Sequence, residues 1–441
     1  MSESRPWKPW KIMNVSIRQL PDLPAESSVG GLFIVFWCDD VPVGQMTIPA
    51  VLLPIHSSQL ATLVPLPIAQ AVGNRVFKNA FRAPLPAHFR RQSLPELPDL
   101  SHLLSMERPL EFCKLDSTQT TAPSIALVIC TRNRPEVLEK CLLAIRRLSP
   151  QPDEIVVVDN DPSTRLTLAL TSAFPEIRYV PEPRPGLSVA RNTGIRNCAS
   201  DLIAFTDDDV MVHQAWIGAV RRVFHDPQVM AMTGLVLPAE LETKAQFDFQ
   251  IDGLGREWGY RVVDFNKEFF NSMRNIGVPV WRIGSGANMA FRREVFARIG
   301  FFDERLGAGA SGCSEDSEVW YRLLAEGNLC RYEPAAVVYQ AHRLDWEGLS
   351  EQTYRYMRSH VAALLFQFDR FGHWGNLYRA FLGLPYFFMT VTVRSLRKKA
   401  GRLLGGSDVE SNSLPLGSQV RGAIAGCGYY LRNRRVPADS G

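Results

Sequence analysis

From Ser124 to Thr206 the chain alternates short, uninterrupted apolar runs with segments whose apolar residues recur every three or four positions. Ile125 to Cys130, Glu154 to Asp159, Ile177 to Val180 and the run closing at Thr206 read as strands. Apolar runs without alternation are strands covered on both faces. Between the first two, Val137, Leu138, Cys141, Leu142 and Ile145 mark one face of a helix opened by Pro135. A second helix is expected from about Leu187 to Cys198. Alternation of this kind predicts a mostly parallel sheet with helices on both faces.

The flanks have other textures. Gly31 to Cys38 reads as a buried strand, Asp39-Asp40 as a turn, and Val41 to Ile48 as the returning strand. Residues 1–115 are therefore expected to be a small β-rich unit, with Pro95, Pro98 and Pro109 marking a linker. Residues 120–345 form the α/β domain. Residues 346–441 read as a helical, basic region. Within it, Ala380 to Val393 is apolar, is interrupted by Pro385, and is too short to span a bilayer. Arg394, Arg397, Lys398, Lys399 and Arg402 follow directly, which suits either an interfacial segment on anionic lipid or a segment whose Tyr386, Phe387 and Phe388 pack on the α/β domain with the basic residues solvated. Val420 to Arg435 offers a second amphipathic stretch.

Composition narrows the classes. With 441 residues, 46% hydrophobic and 21% charged, this is an ordinary globular chain. A net charge of +4, with no RNP motif and no zinc-finger spacing, gives no support for a nucleic-acid partner. The eight cysteines form no CxxC pair, which fits a reducing, cytoplasmic compartment. Trp7, Pro9 and Trp10, with no long apolar run, do not read as a signal peptide.

The candidate chemistry lies where the expected strands end. Phe205-Thr206 runs into three adjacent carboxylates, Asp207, Asp208 and Asp209. A cation or donor-rich ligand would account for such mutual repulsion; a solvated acidic turn is the plain alternative. Ligands of open α/β sheets bind beyond the carboxyl ends of the strands. Hard oxygen donors there suit Mg2+ or Mn2+ carrying phosphates. The first strand ends in Thr131-Arg132-Asn133-Arg134, where Thr131 and Arg134 suit phosphate. Asp159, ending the second, suits a nucleobase or ribose, or equally a helix N-cap. Arg191 and Asn192 lie about one turn inside the helix entered through Gly186, and Gly194 suggests close packing. Gly284 and Gly286 allow the backbone to approach a sugar or diphosphate, or belong to a plain loop. A glycine-rich and expectedly mobile segment, Gly307 to Gly312, leads to Glu315-Asp316 at a helix start. A carboxylate there is either first-turn electrostatics or a general base. His342, after a strand, is either structural or part of a metal site. No Ser–His–Asp order and no HExxH occurs, so hydrolase chemistry has no anchor.

In their order and spacing these segments resemble the family 2 glycosyltransferases, inverting enzymes of the GT-A fold, over roughly residues 124–343. The resemblance implies a GT-A α/β fold. It places Thr131, Asn133 and Arg134 in a nucleotide loop, and Asp159 and Arg191 on the nucleotide. It sets Asp207 near the ribose and Asp209 on the metal, with Asp207 and Asp208 able to share either task. His342 corresponds to a metal or diphosphate contact that only some members have. Asp316 becomes the base, with Glu315 orienting or replacing it. The resemblance further implies Mn2+ or Mg2+, a nucleotide-sugar donor (most often a UDP-sugar) and a carbohydrate or lipid-linked acceptor. Cell-surface polysaccharide or glycolipid synthesis at the inner face of a membrane would fit. Two rivals remain. A nucleotidyltransferase would carry an early glycine-rich phosphate loop, which Thr131 to Arg134 lacks. A non-catalytic sugar- or nucleotide-binding module has no need of acids at all three places.

Overall fold

The structure is a computed structural model. It describes residues 7–68, 71, 123–252, 258–403 and 416–438, without the side chains of 252, 394, 395 and 397–403. The prolines of the expected linker lie outside the described residues.

Strands β1 (Trp10–Ser16), β2 (Gly31–Cys38) and β3 (Val41–Pro49) form a three-stranded sheet in that order. β2 and β3 are the expected hairpin, turned by Asp39 at φ 52°. β1 joins β2 in parallel. Every residue of β2 is buried, because the sheet lies against the α/β domain. Trp37 stacks on His213 at 4.9 Å. Gln214 donates to Asp40, and Tyr260 donates to Gln45. The apolar interiors of the two sheets form one continuous core.

The second sheet has nine strands: β4 (Ile125–Thr131), β5 (Glu154–Asp159), β6 (Ile177–Pro181), β7 (Leu202–Asp207), β8 (Val210–Val212), β9 (Val229–Pro238), β10 (Val263–Phe265), β11 (Met289–Arg292) and β12 (Leu329–Gln340). Their order is β10-β12-β9-β11-β7-β4-β5-β6, with β8 beside β12. The run β6-β5-β4-β7 is parallel, as the sequence predicts. β11 then enters against both β7 and β9, which makes the sheet mixed. The chain builds outward from β4 to β5 and β6, then returns to the other side of β4 with β7. That reversal opens a crevice at the carboxyl ends of β4 and β7. Thr131 and Asp207 end those two strands.

The helices pack as their apolar periodicity requires. Pro135–Ile145 buries Leu138, Cys141, Leu142 and Ile145 and carries Pro at its first turn. Leu187–Arg196 crosses β4 and β5 closely enough that a Cβ on Gly194 would stand 2.5 Å from a methyl of Val128. Beyond β12, the Trp346–Phe371 helix begins at Asp345, whose carboxylate accepts the Gly348 N–H at 2.6 Å. It ends at Gly372 with φ 66°. The Leu416–Asn433 helix lies along it, with Gly422 and Gly426 against the backbone oxygens of Tyr354 and Arg358. The expected architecture is therefore present: an α/β sheet covered on both faces, a small N-terminal β unit and a helical C-terminal region.

Gly194 yields a stability prediction. Alanine favours a helix interior by about 1 kcal/mol over glycine. The fully buried Val128 cannot move aside, and overpacking costs about 1–3 kcal/mol. Gly194→Ala should lower the urea-unfolding free energy by roughly 1 kcal/mol. An unchanged or raised value would show that the Leu187–Arg196 helix can retreat from the sheet.

Candidate functional site

Three strand ends and one helix start converge on the crevice. β7 delivers Asp207, Asp208 and Asp209, and the structure gives them different surroundings. Asp208 is fully buried. It accepts from Thr131 Oγ1 at 2.6 Å and is gripped by both Arg134 Nε and Nη2. Burial pushes its carboxyl above the usual range, while Thr131 and Arg134 pull the other way. Asp207 and Asp209 retain open surface, with side-chain exposures of 29% and 37%. The strand ends at Asp207 and the chain turns at Asp208 and Asp209, with the first and third acids left open and the second held inward by Thr131 and Arg134.

Asp207 accepts from Arg191 Nη2 at 3.1 Å. Its carboxyl is pushed up to about 7, first by burial and then by Asp209, Asp208 and Glu315, against the pull of Arg191. A carboxylate that is both open and enclosed by protein lies on the floor of a concave surface.

Arg191 itself has only 2% of its surface exposed. Its Nη1 donates to Glu315 Oε1 at 2.6 Å, and its Nη2 donates to Asp207 and to the Gly286 carbonyl at 3.3 Å. The expectation that Arg191 lies on a nucleotide is therefore not what the side chain does here. It is an internal clamp between the acids of β7 and those of the Glu315–Ala325 helix.

That helix begins after Ser314, at φ 68°. Glu315 points inward to Arg191, and its second oxygen is buried without a hydrogen-bond partner. Asp316 turns to the cleft side and accepts from the Gly286 N–H at 2.8 Å and the Ser317 N–H at 2.6 Å. Burial and the adjacent Glu315 raise its carboxyl to about 6, against Arg191 and the two backbone donors. Such a group is ionised at neutral pH yet retains proton affinity, as a general base requires.

The glycines serve the protein's own packing. A Cβ on Gly286 would stand 3.0 Å from Arg191 Nη2 and 3.3 Å from Asp316 Oδ2. One on Gly284 would meet Thr233 Oγ1 at 1.9 Å. The Gly307 to Gly312 loop, expected to be mobile, is tied on both sides. Ala308 accepts from the Leu187 N–H, Leu306 from Ser188 Oγ, and Ser311 from Arg358.

Two further expectations change. Asp159 has no exposed surface; Tyr179 donates to it at 2.9 Å and the Asp161 N–H at 3.1 Å. The acid with open surface at the end of β5 is Asp161, which accepts from Asn133 Nδ2 at 2.8 Å. Residue type and strand position fitted Asp159, but its side chain is turned inward. His342 shares a 2.7 Å hydrogen bond between Nε2 and Gln250 Oε1 and packs against Phe249. Among the described residues no three His, Cys, Asp or Glu side chains are gathered to hold a metal, so His342 does not join the aspartates. Tyr356, on the Trp346–Phe371 helix, was not singled out in the sequence. It lies near enough to Asp316 for the carboxylate to oppose its ionisation.

Residues 126–300 match the family described as Glycosyl transferase family 2. Pre-mycofactocin glycosyltransferase of Mycobacterium tuberculosis is 27% identical over 229 residues, covering 50% of this chain and 44% of that protein. The chain thus spans less than half the length of that relative. Succinoglycan biosynthesis protein ExoM of Rhizobium meliloti is 26% identical, covering 54% of this chain and 74% of that one. Among solved structures, a mannosyltransferase from Pyrobaculum calidifontis aligns with a TM-score of 0.47 and 17% identity, over 72% of this chain and 89% of that one.

Asp207 sets a pH dependence. Its folded pKa of about 7 lies above the ordinary 3.8. The folded chain therefore holds the proton more tightly, and stability should fall as pH rises from about 4 to about 7. Asp316 contributes with the same sign up to about 6. In chelator-treated buffer the urea-unfolding free energy should drop between about pH 5 and pH 8. Asp207→Asn should show a smaller drop, and equal drops in the two proteins would contradict this account.

Proposed function

We propose that this chain, whose residues 126–300 belong to glycosyl transferase family 2, transfers a sugar with inversion from a nucleotide-sugar donor to an acceptor hydroxyl. The observation that carries this reading is the Arg191 clamp. It ties Asp207, at the end of β7, to Glu315 and to the Gly286 carbonyl, and Gly286 in turn donates its N–H to Asp316, so an open strand-end acid and the candidate base are held around one crevice.

In this reading Asp316 takes the proton of the acceptor hydroxyl. The oxygen attacks the anomeric carbon as the bond to the donor's diphosphate breaks, and the electron pair leaves with the nucleotide diphosphate. Asn133, Arg134 and Asp161 stand where the nucleotide would lie, at the ends of β4 and β5. Arg134 is half exposed and can pass from Asp209 to a phosphate oxygen. Arg191 and Asp159 act from behind, as supports. Glu315 fixes Arg191 rather than moving a proton.

The open oxygens of Asp207 and Asp209 fit Mn2+ or Mg2+. Those two residues would hold the ion, leaving coordination positions for phosphate oxygens. When bound, such an ion supplies positive charge beside the departing diphosphate. A UDP-sugar donor and a carbohydrate or lipid-linked acceptor, in surface polysaccharide or glycolipid synthesis, belong to the same reading. So does a cytoplasmic location at the inner face of a membrane. The seven cysteines among the described residues are all free, in keeping with a reducing compartment.

A panel of nucleotide sugars with Mn2+, followed by thermal shift, tests the donor. The true donor should raise the melting temperature by mass action. With that donor, Asp316→Asn should retain binding and lose transfer by roughly 10²-fold or more. Loss of binding with normal turnover at saturation would make Asp316 a binding group instead. Asp209→Ala should lose most activity and the thermal shift produced by Mn2+, while its fold survives. Full activity of that variant in chelator-treated buffer would remove the metal from the reading.

A further inference from the structure

From Trp374 the chain is helical without a break to Leu403, through Trp374–Tyr378, a wide turn at Arg379–Gly383 and Leu384–Leu403. One side of this rod faces the protein. Ala380 and Leu384 are buried, and Leu377 and Phe388 pack with Val361 and Leu365. The opposite side is apolar too, and it is open. Trp374 (74% exposed), Tyr378, Leu382 (61%), Tyr386 (65%), Met389 (55%) and Val393 recur every three or four residues along it.

A helix that is apolar all round belongs inside something. Single exposed apolar residues need no explanation, but a continuous stripe of large ones marks an interaction surface. The charge pattern selects the occupant. Between Gly372 and Leu403 there is no Asp or Glu, whereas Arg379, Arg394, Arg397, Lys398, Lys399 and Arg402 are basic. The side chains of the last five lie outside the described residues; their place in the sequence puts them on the same helix, at the far end of the stripe. Trp374, Tyr378 and Tyr386 join an apolar body to a polar tip, the kind of residue that collects at a membrane–water boundary. Among the described residues no helix is long and apolar enough to cross a membrane.

The rod is also braced against the acceptor side of the crevice. The Arg379 guanidinium lies 4.7 Å over the Trp281 ring, and Trp281 packs on His360 at 4.5 Å. Trp281 stands five residues before Gly286, whose N–H holds Asp316. His360 stands one turn beyond Tyr356, whose carbonyl faces Cys313 Sγ at 4.0 Å, three residues before Asp316.

We infer that the open face of this rod lies in the surface of an anionic bilayer, and that it turns the Asp316 side of the crevice toward an acceptor anchored in that bilayer. The acceptor half of this inference rests on the glycosyltransferase reading; the docking half does not. The test is flotation of the full chain with vesicles of phosphatidylcholine alone or with phosphatidylglycerol added, at low and high salt. The wild type should float with the anionic vesicles at low salt and lose most binding at high salt. Tyr386→Ser/Met389→Ser/Val393→Ser removes exposed apolar surface only and should weaken flotation by about tenfold or more while the thermal melt is unchanged. Arg397→Gln/Lys398→Gln/Lys399→Gln should abolish the preference for the anionic lipid. Donor hydrolysis in vesicle-free buffer should be the same for all three proteins. Its absence throughout, with flotation intact, fails the glycosyltransferase reading and leaves the docking face standing. A wild type that ignores anionic vesicles at low salt overturns the inference, as does a serine variant that floats equally well. Dimerisation lost in the serine variant, without vesicle binding, would assign the face to a second copy of the chain and overturn it likewise.

Discussion

A guanidinium withdrawn from water needs counter-charge, and the position of Arg191 in the core fixes where that charge must stand. Asp207 answers from the strand β7 and Glu315 from a helix more than a hundred residues later, with the Gly286 carbonyl between them. An unpaired buried ion would cost several kcal/mol. Neither acid can therefore drift without penalty, and the two halves of the crevice are held at one spacing. The neighbours inherit their roles from that restraint. Asp208 is drawn inward by Thr131 and Arg134, Asp209 is left outward, and Asp316 is turned toward the cleft because Glu315 is not.

Much of the scaffold was legible in the sequence, because strand and helix faces are written in local periodicity. Ile125 to Cys130 had to be covered on both sides, and it is. Pro135 opens its helix, and Gly194 lies where a helix meets the sheet. The clustering of acids at the end of β7 was legible, because three adjacent charges need counter-charge from elsewhere; that Arg191 and Arg134 supply it from within the protein was not. Side-chain direction was less legible. Asp159 and Asp161 lie two positions apart and have the same chemistry. Only Tyr179, from a third strand, decides which is enclosed. His342 ends a strand as expected, yet Gln250 from a distant helix takes its ring nitrogen. Arg191 read as a nucleotide-binding arginine because the partners that enclose it, Glu315 and Gly286, lie far along the chain. Tyr356 carried no signal, since its position matters only once the Trp346–Phe371 helix packs against the Ser311 to Cys313 segment ahead of Asp316.

The N-terminal sheet is part of this arrangement rather than an appendage. Trp37 stacks on His213, which directly follows β8, and β8 follows the three aspartates. The extended segment that carries the acids is thus backed by a second sheet, and both share one apolar interior. The C-terminal helices support the opposite rim in the same manner, through Cys313, whose N–H is taken by Ser359, and through Arg358 on the Ser311 carbonyl.

Gly286 carries an obligation larger than its size. Its N–H donates to Asp316, and its carbonyl helps neutralise Arg191. A single residue without a side chain therefore links Asp316 to the Arg191 clamp. The two hydrogen bonds cannot be altered separately, and a substituent at this α-carbon would press on both partners, at 3.0 Å from Arg191 Nη2 and 3.3 Å from Asp316 Oδ2.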